Sequence, residues 1–292
     1  MDSKKIVDGK YTDIYYTVDD GLTLHARDYA NPHAIKTILC MHGLTRNAAD
    51  FETIVDSLQK NYRVITVDQR GRGLSDWETD SQRYSPVYYV RDMWQLLDHL
   101  SIDKVALIGT SMGGLMAMLM AAERPERIQG LVINDIGPEV ATSGLARIIN
   151  YVGGRSEAES WSAAAADTRD VNAICFPHYT ASQWMTMARR LYRENEQGHP
   201  VLAYDPAISS TIQSEESASV PSNLWPLFHS LKAMPMLVLR GELSDLLSES
   251  CFEEMKSSMP TMRSVEVLGV GHAPALDEPE AIDAIVKFLF SF

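Results

Sequence analysis

Cysteine is scarce: Cys40, Cys175 and Cys251 are the only three in 292 residues, and no two stand in a Cys-x-x-Cys pair. Such an odd, scattered set offers neither a disulfide framework nor a zinc site. The three are expected to be free thiols, Cys40 within a core strand, and neither metal nor cofactor is expected. Long apolar runs are missing as well. Nothing approaches the roughly 20 residues that cross a bilayer, and the first ten residues lack the apolar stretch of a signal peptide. No membrane partner is expected, and the cytoplasm is the expected location. Positive charge is in deficit, with 26 Lys and Arg against 39 Asp and Glu and a net charge of -13. A chain this acidic is repelled by phosphate backbones and anionic lipid, which argues against nucleic acid as a partner. Internal repeats and low-complexity tracts are absent, apart from four alanines at 163–166.

Apolar residues make up 45% of the chain, enough over this length for one generous α/β domain with room for an insertion. Residues 11–30 alternate in polarity around the turn Asp19-Asp20-Gly21, the pattern of an antiparallel hairpin. Short apolar runs then alternate with helical patterns. Strands are expected at 36–41, 62–68, 105–110 and 128–134, with helices at about 49–59, 86–100 and after residue 111. Strand–helix alternation implies parallel pairing through right-handed crossovers. From 138 to 231 the patterns are almost only helical (144–151, 157–166, 181–193 and around Trp225), and strands return at 235–241 and 264–269. The fold class expected is therefore α/β, a mostly parallel eight-stranded sheet with helices on both faces. Residues 1–137 and 232–292 form its core, and 138–231 are read as a helical cap, or lid.

Gly109-Thr110-Ser111-Met112-Gly113 fits the G-x-S-x-G nucleophile elbow, with the buried strand before it and the helix after it that the motif requires. Ser111 is the candidate nucleophile, and the N–H of Met112, at a helix N-terminus, is a candidate oxyanion donor. A serine hydroxyl is a poor nucleophile at neutral pH, so a neutral imidazole must take its proton and a carboxylate must orient that imidazole. In parallel sheets such groups sit on the loops after strands. His272, in Gly269-Val270-Gly271-His272-Ala273-Pro274, is the base expected. For the acid, Asp245 is preferred, because its loop immediately precedes the strand–helix unit of the histidine; Asp135, in another loop after a strand, is the alternative. Glu242 is read as structural. The second oxyanion donor is expected from the loop after 37–41, at the N–H of Leu44, with His42 either bracing that loop or bordering the substrate pocket.

The set His42-Gly43, Asp68-Gln69-Arg70-Gly71-Arg72-Gly73-Leu74-Ser75, Gly109-Thr110-Ser111-Met112-Gly113, Gly241-Glu242-Leu243-Ser244-Asp245 and Gly271-His272-Ala273-Pro274 resembles the α/β-hydrolase superfamily over nearly the whole catalytic core. Within it the chain is similar to capped bacterial esterases. The resemblance implies a Ser-His-Asp triad and a structural role for 68–75. Ser111 departs from the nucleophilic aspartate of haloalkane dehalogenases and epoxide hydrolases, and Leu44-Thr45 from the aromatic-proline pair of haloperoxidase-like members. Ser-Met-Gly-Gly in the elbow is shared with carbon-carbon bond hydrolases. The expected function is hydrolysis of small to medium carboxylic esters, a small-molecule ester being the partner, through an acyl-enzyme. Carbon-carbon, lactone or thioester hydrolysis by the same residues, and a ligand receptor on a hydrolase scaffold, are the alternatives. Met112, next to the nucleophile, is expected to face a pocket to which Trp184, Met185 and Tyr204 of the cap contribute walls, and Arg189, Arg190 and Arg193 are candidates to meet a substrate carboxylate, or else form a solvated face.

Overall fold

The computed structural model describes residues 5–7, 10–154, 157–210 and 223–292. Its main sheet contains the eight expected strands and a short ninth at the edge. In chain order these are β1 (Lys5–Val7), β2 (Tyr11–Thr17), β3 (Thr23–Tyr29), β4 (Lys36–Met41), β5 (Tyr62–Asp68), β6 (Val105–Thr110), β7 (Ile128–Asn134), β10 (Met236–Gly241) and β11 (Arg263–Val267). They lie side by side as β1-β2-β3-β5-β4-β6-β7-β10-β11. Pairing is antiparallel from β1 to β5 and parallel from β5 to β11. Helices cover the sheet: α1 (Glu52–Leu58), α2 (Pro86–His99), α3 (Met112–Glu123), α8 (Glu249–Ser258) and α9 (Pro279–Leu289).

The two faces of the sheet explain its composition. Along β4, Ile38 and Cys40 join one apolar layer while Leu39 and Met41 join the other, and all four are fully buried. Strands covered on both faces read as continuous apolar runs, which is why the inner strands were visible as such. Chain order reverses at β4: β5 lies on one side of it and β6 on the other. The crevice at the carboxyl ends of β4 and β6 is therefore the topological switch point, where ligands bind in open α/β sheets.

Between β7 and β10 lie α4 (Thr142–Tyr151), α5 (Trp161–Asn172), α6 (Ala181–Leu191), a small hairpin of β8 (Tyr192–Glu194) and β9 (Pro200–Leu202), and α7 (Trp225–Ser230). Helix α4 starts at Thr142, two residues before the expected 144, and two other helices differ from the periodicity for visible reasons. The helix expected at 157–166 starts at Trp161, because the Ser160 hydroxyl caps it by accepting the Ala163 N–H, and it runs on to Asn172. The helix expected at 181–193 begins behind a Thr180–Gln183 capping box and stops at Leu191, where the backbone turns extended and pairs with β9. No helix of the described residues is long and apolar enough to cross a membrane.

Candidate functional site

Ser111, Asp135, Asp245 and His272 each lie in the turn or loop that follows a strand. Ser111 follows β6 with φ 53° and ψ -115°, a strained conformation for a residue with a Cβ. Two glycines permit it. A Cβ on Gly109 would lie 2.1 Å from the Gly113 carbonyl oxygen, and one on Gly113 would lie 2.0 Å from that of Met41. Strand, turn and helix thus approach at backbone contact, and Ser111 is lifted clear of the sheet edge. Its N–H is anchored to the carbonyl of Asn134 at 2.9 Å.

The Ser111 hydroxyl donates to His272 Nε2 at 2.9 Å, and His272 Nδ1–H donates to Asp135 Oδ2 at 2.8 Å. A carboxylate only accepts, so its contact with Nδ1 fixes the imidazole tautomer that leaves Nε2 free to take a proton. Asp135, just beyond β7, is fully buried and adopts φ 58°, a left-handed conformation that aspartate tolerates better than most side chains. Its charge is matched by donors: Gly241 N–H reaches Oδ1 at 2.8 Å, and the Ser244 hydroxyl reaches Oδ2 at 2.6 Å. Ser244 in turn accepts the N–H groups of Leu246 and Leu247.

Asp245, the preferred acid in the sequence, does not touch His272. Its carboxylate takes both Nε and an Nη of Arg147 on α4, at 2.6 and 2.9 Å, while its carbonyl accepts from Gly144 N–H and the Ser143 hydroxyl. Burial alone would raise the Asp245 pKa, but the guanidinium overcomes it and holds the carboxyl below its usual range. The loop after β10 sends Ser244 inward and Asp245 outward to the inserted helices, and the alternative acid Asp135 occupies the place beside the imidazole. Arg147 and Ser244 had no signal of their own in the sequence. Glu242 accepts Gly269 N–H at 2.7 Å and braces the turn ahead of His272.

The loop after β4 abuts the nucleophile: a Cβ on Gly43 would lie 3.7 Å from that of Ser111. Leu44 N–H and Met112 N–H have no protein acceptor among the described residues. Arg72 Nε pins the loop through the Leu44 carbonyl at 2.9 Å. His42 is fully buried; its Nδ1–H donates to the Gly43 carbonyl and its Nε2 accepts Gln69 N–H. Burial pushes its pKa down to about 4, so it is a neutral brace. Its side chain lies outside the cavity, which corrects its reading as a pocket residue. In the 68–75 loop, Asp68 accepts the N–H groups of Ala48 and Leu74 and the Nδ1–H of His25, a set of contacts that ties loops together.

A cavity of about 490 Å³ opens between the strand ends and the inserted helices, with Ser111 and His272 in its wall. This is within the usual range for small-molecule sites. Tyr204 lines it as expected, whereas Trp184 and Met185 do not. Trp184 turns away to stack with Phe176 and Tyr179, and it is Gln183, Thr186, Met187 and Arg190, one helical face of α6, that meet the cavity. Met112 leans on Arg72 instead of lining the cavity. Of the three arginines singled out, only Arg190 enters it; Arg189 lies over the Trp161 ring and Arg193 over Trp77. Among the described residues, no three His, Cys, Asp or Glu side chains converge as metal ligands.

Comparison with known proteins agrees with this architecture. A family model described as the alpha/beta hydrolase fold matches residues 36–279. The 3-hydroxybutyrate-oligomer hydrolase of Cupriavidus necator is 34% identical over 267 residues, 89% of either chain. The 2-(acetamidomethylene)succinate hydrolase of Mesorhizobium japonicum is 27% identical over 277 residues, 93% of this chain and 94% of its own. The crystal structure of an alpha/beta hydrolase from Novosphingobium aromaticivorans superposes with a TM-score of 0.91 at 40% identity, covering 96% of this chain and 98% of that one.

Proposed function

Because the chain belongs to the α/β-hydrolase fold family, we propose that it is a serine hydrolase of small to medium carboxylic esters, with Ser111, His272 and Asp135 as its triad. The observation that carries this is the unbroken relay from the Ser111 hydroxyl through His272 to Asp135. Ser111 Oγ attacks the ester carbonyl while His272 Nε2 takes its proton. Asp135 holds the imidazole in register and stabilises the imidazolium. The N–H groups of Leu44 and Met112 receive the oxyanion, each donor contributing about 2.7 to 4 kcal/mol to the transition state. His272 then protonates the leaving alcohol, and a water activated by the same imidazole releases the acid from Ser111. The Cupriavidus necator relative, named for cleaving 3-hydroxybutyrate oligomers, supports short hydroxy-acid esters as the substrate class. The described part of 138–231 acts as the cap over the substrate; residues 155–156 and 211–222 of that expected cap lie outside the described residues.

Steady-state hydrolysis of p-nitrophenyl esters of increasing acyl length tests the reading, with Ser111→Ala and His272→Ala assayed beside the parent. Fast turnover by the parent and near-complete loss in both variants is expected. Undiminished turnover by Ser111→Ala in a clean preparation overturns it. If the parent is inert while a fluorophosphonate still labels Ser111, the nucleophile stands and the ester class falls, and lactones, thioesters and carbon-carbon substrates come next.

A further inference from the structure

One region of the cavity wall holds more hydrogen-bond donors than the protein satisfies. Arg46, on the loop after β4, uses Nε alone, donating to Asp50 Oδ2 at 2.6 Å. Arg190, on α6, uses one Nη, donating to Thr53 Oγ1 at 2.9 Å. Its Nε is buried without a hydrogen-bond partner, the nearest Glu52 oxygen being 3.6 Å away. A guanidinium carries five N–H donors, so most of these ten have no protein acceptor among the described residues. The two arginines come from opposite sides of the crevice and are tied together there, since Asn47, next to Arg46, donates its amide to the Arg190 carbonyl at 2.6 Å.

This pair stands beside the reacting centre. Arg46 Cγ and Ser111 Cβ lie 3.6 and 3.7 Å from the same point, the place a Cβ would take on Gly43. Asp50 fixes the Arg46 fork from its Nε side and leaves the two Nη groups, the edge that binds planar anions, without a protein acceptor. Besides Asp50, the carboxylates of Asp167, Asp170 and Asp277 line the cavity, and burial raises the Asp277 pKa against the opposing effect of Arg190.

We propose that Arg46 and Arg190 bind a carboxylate of the substrate, so that the enzyme selects esters whose leaving alcohol is itself a hydroxy acid with a free carboxylate. In an ester of a 3-hydroxy acid that carboxylate sits about 5 Å from the scissile carbonyl carbon, within reach of a guanidinium whose stem starts next to the nucleophile. The inference rests on the serine esterase reading above and adds to it the chemistry of the leaving group.

The test uses one linear dimer of 3-hydroxybutyrate as the free acid and as its methyl ester, assayed with the parent, Arg46→Gln, Arg46→Lys and Arg190→Gln. p-Nitrophenyl butyrate hydrolysis and fluorophosphonate labelling of Ser111 are followed in parallel. The parent is expected to prefer the free acid by about tenfold or more in kcat/KM. Each Gln variant is expected to lose most of that preference, chiefly through KM. Arg46→Lys should recover only part of it, because an ammonium cannot present the planar fork. A parent enzyme that cleaves both dimers equally, or favours the methyl ester, overturns the proposal even if a variant fails to fold. So does a Gln variant with an intact preference. Loss of all ester hydrolysis by the parent, dimers and p-nitrophenyl butyrate alike, instead marks failure of the esterase reading on which the inference stands.

Discussion

The Asp135→Asn change separates the two candidate acids, and the hydrogen bonds around Asp135 set the size of the effect. Oδ1 accepts from Gly241 N–H, and Oδ2 accepts from Ser244 and His272. An amide has one acceptor oxygen. If the new amide keeps that oxygen toward Gly241, its NH₂ faces His272 Nδ1 and forces the proton onto Nε2, where it can no longer take the serine proton. If the oxygen turns toward His272, the NH₂ meets the Gly241 N–H donor to donor. Either arrangement disables or strains the relay, and a wrong tautomer in such a triad costs about 10⁴ in kcat, or roughly 5 kcal/mol at about 1.36 kcal/mol per decade. Asp245→Asn, by contrast, breaks only the partly exposed pair with Arg147, in which the Arg147 and Asp245 side chains are 18% and 26% exposed. That change should leave kcat within about threefold and cost roughly 1 kcal/mol of stability. The assay is kcat on a p-nitrophenyl ester, with active sites counted by fluorophosphonate titration and stability by urea unfolding. A dead Asp245→Asn beside an active Asp135→Asn refutes the assignment.

Two further outcomes follow from the site's supports. His42 is held neutral with a pKa of about 4, against roughly 6.5 in an unfolded chain. Between those values the unfolded state binds the extra proton, so this histidine's contribution to stability is complete above pH 6.5 and is lost as pH falls toward 4, by about 3 kcal/mol. Urea unfolding at pH 7 and 4.5 should show a shallower acid loss in His42→Gln than in the parent. Gly113→Ala places a methyl 2.0 Å from the Met41 carbonyl oxygen, a backbone atom that cannot swing aside. It should abolish turnover and cost about 3 kcal/mol or more, whereas a variant with parental urea midpoint and rate contradicts the close approach described for the elbow.

The inner strands and Ser111 were legible because their signals are local: runs such as Val105–Thr110 are apolar on both faces, and an elbow needs glycine on either side of the nucleophile. His272, the candidate base, stood out through its glycine loop, and the structure brings it to Ser111. The acid was not settled by sequence, because Asp135 and Asp245 both follow strands, and which carboxylate turns toward His272 depends on whether Asp245 has a better partner. That partner, Arg147, lies 98 residues away on α4. Pocket walls failed for a related reason. On α6 a shift of one residue rotates the helix by about 100°, which separates Trp184, stacked on Phe176 and Tyr179, from the cavity-lining Gln183 and Met187.

The Arg147–Asp245 pair also bears on how the inserted helices could move over the site. The segment between β7 and β10 is fastened to the core at several points around the cavity. Arg147 grips Asp245, Tyr84 donates its hydroxyl to Asp205 at 2.6 Å, Gly271 N–H donates to the Cys175 carbonyl at 2.6 Å, and Gly73 N–H donates to the Ala203 carbonyl at 2.8 Å. A rigid swing of the whole segment must break all of these together, so opening should proceed by local release of one element, and the partly exposed α4 anchor is the weakest by burial. Asp245→Asn is therefore expected to speed amide hydrogen exchange across 142–151 while leaving exchange in α5 and α6 near the parental rate. Equal acceleration throughout the insertion would mean that the segment moves as one body and that the anchors do not act separately.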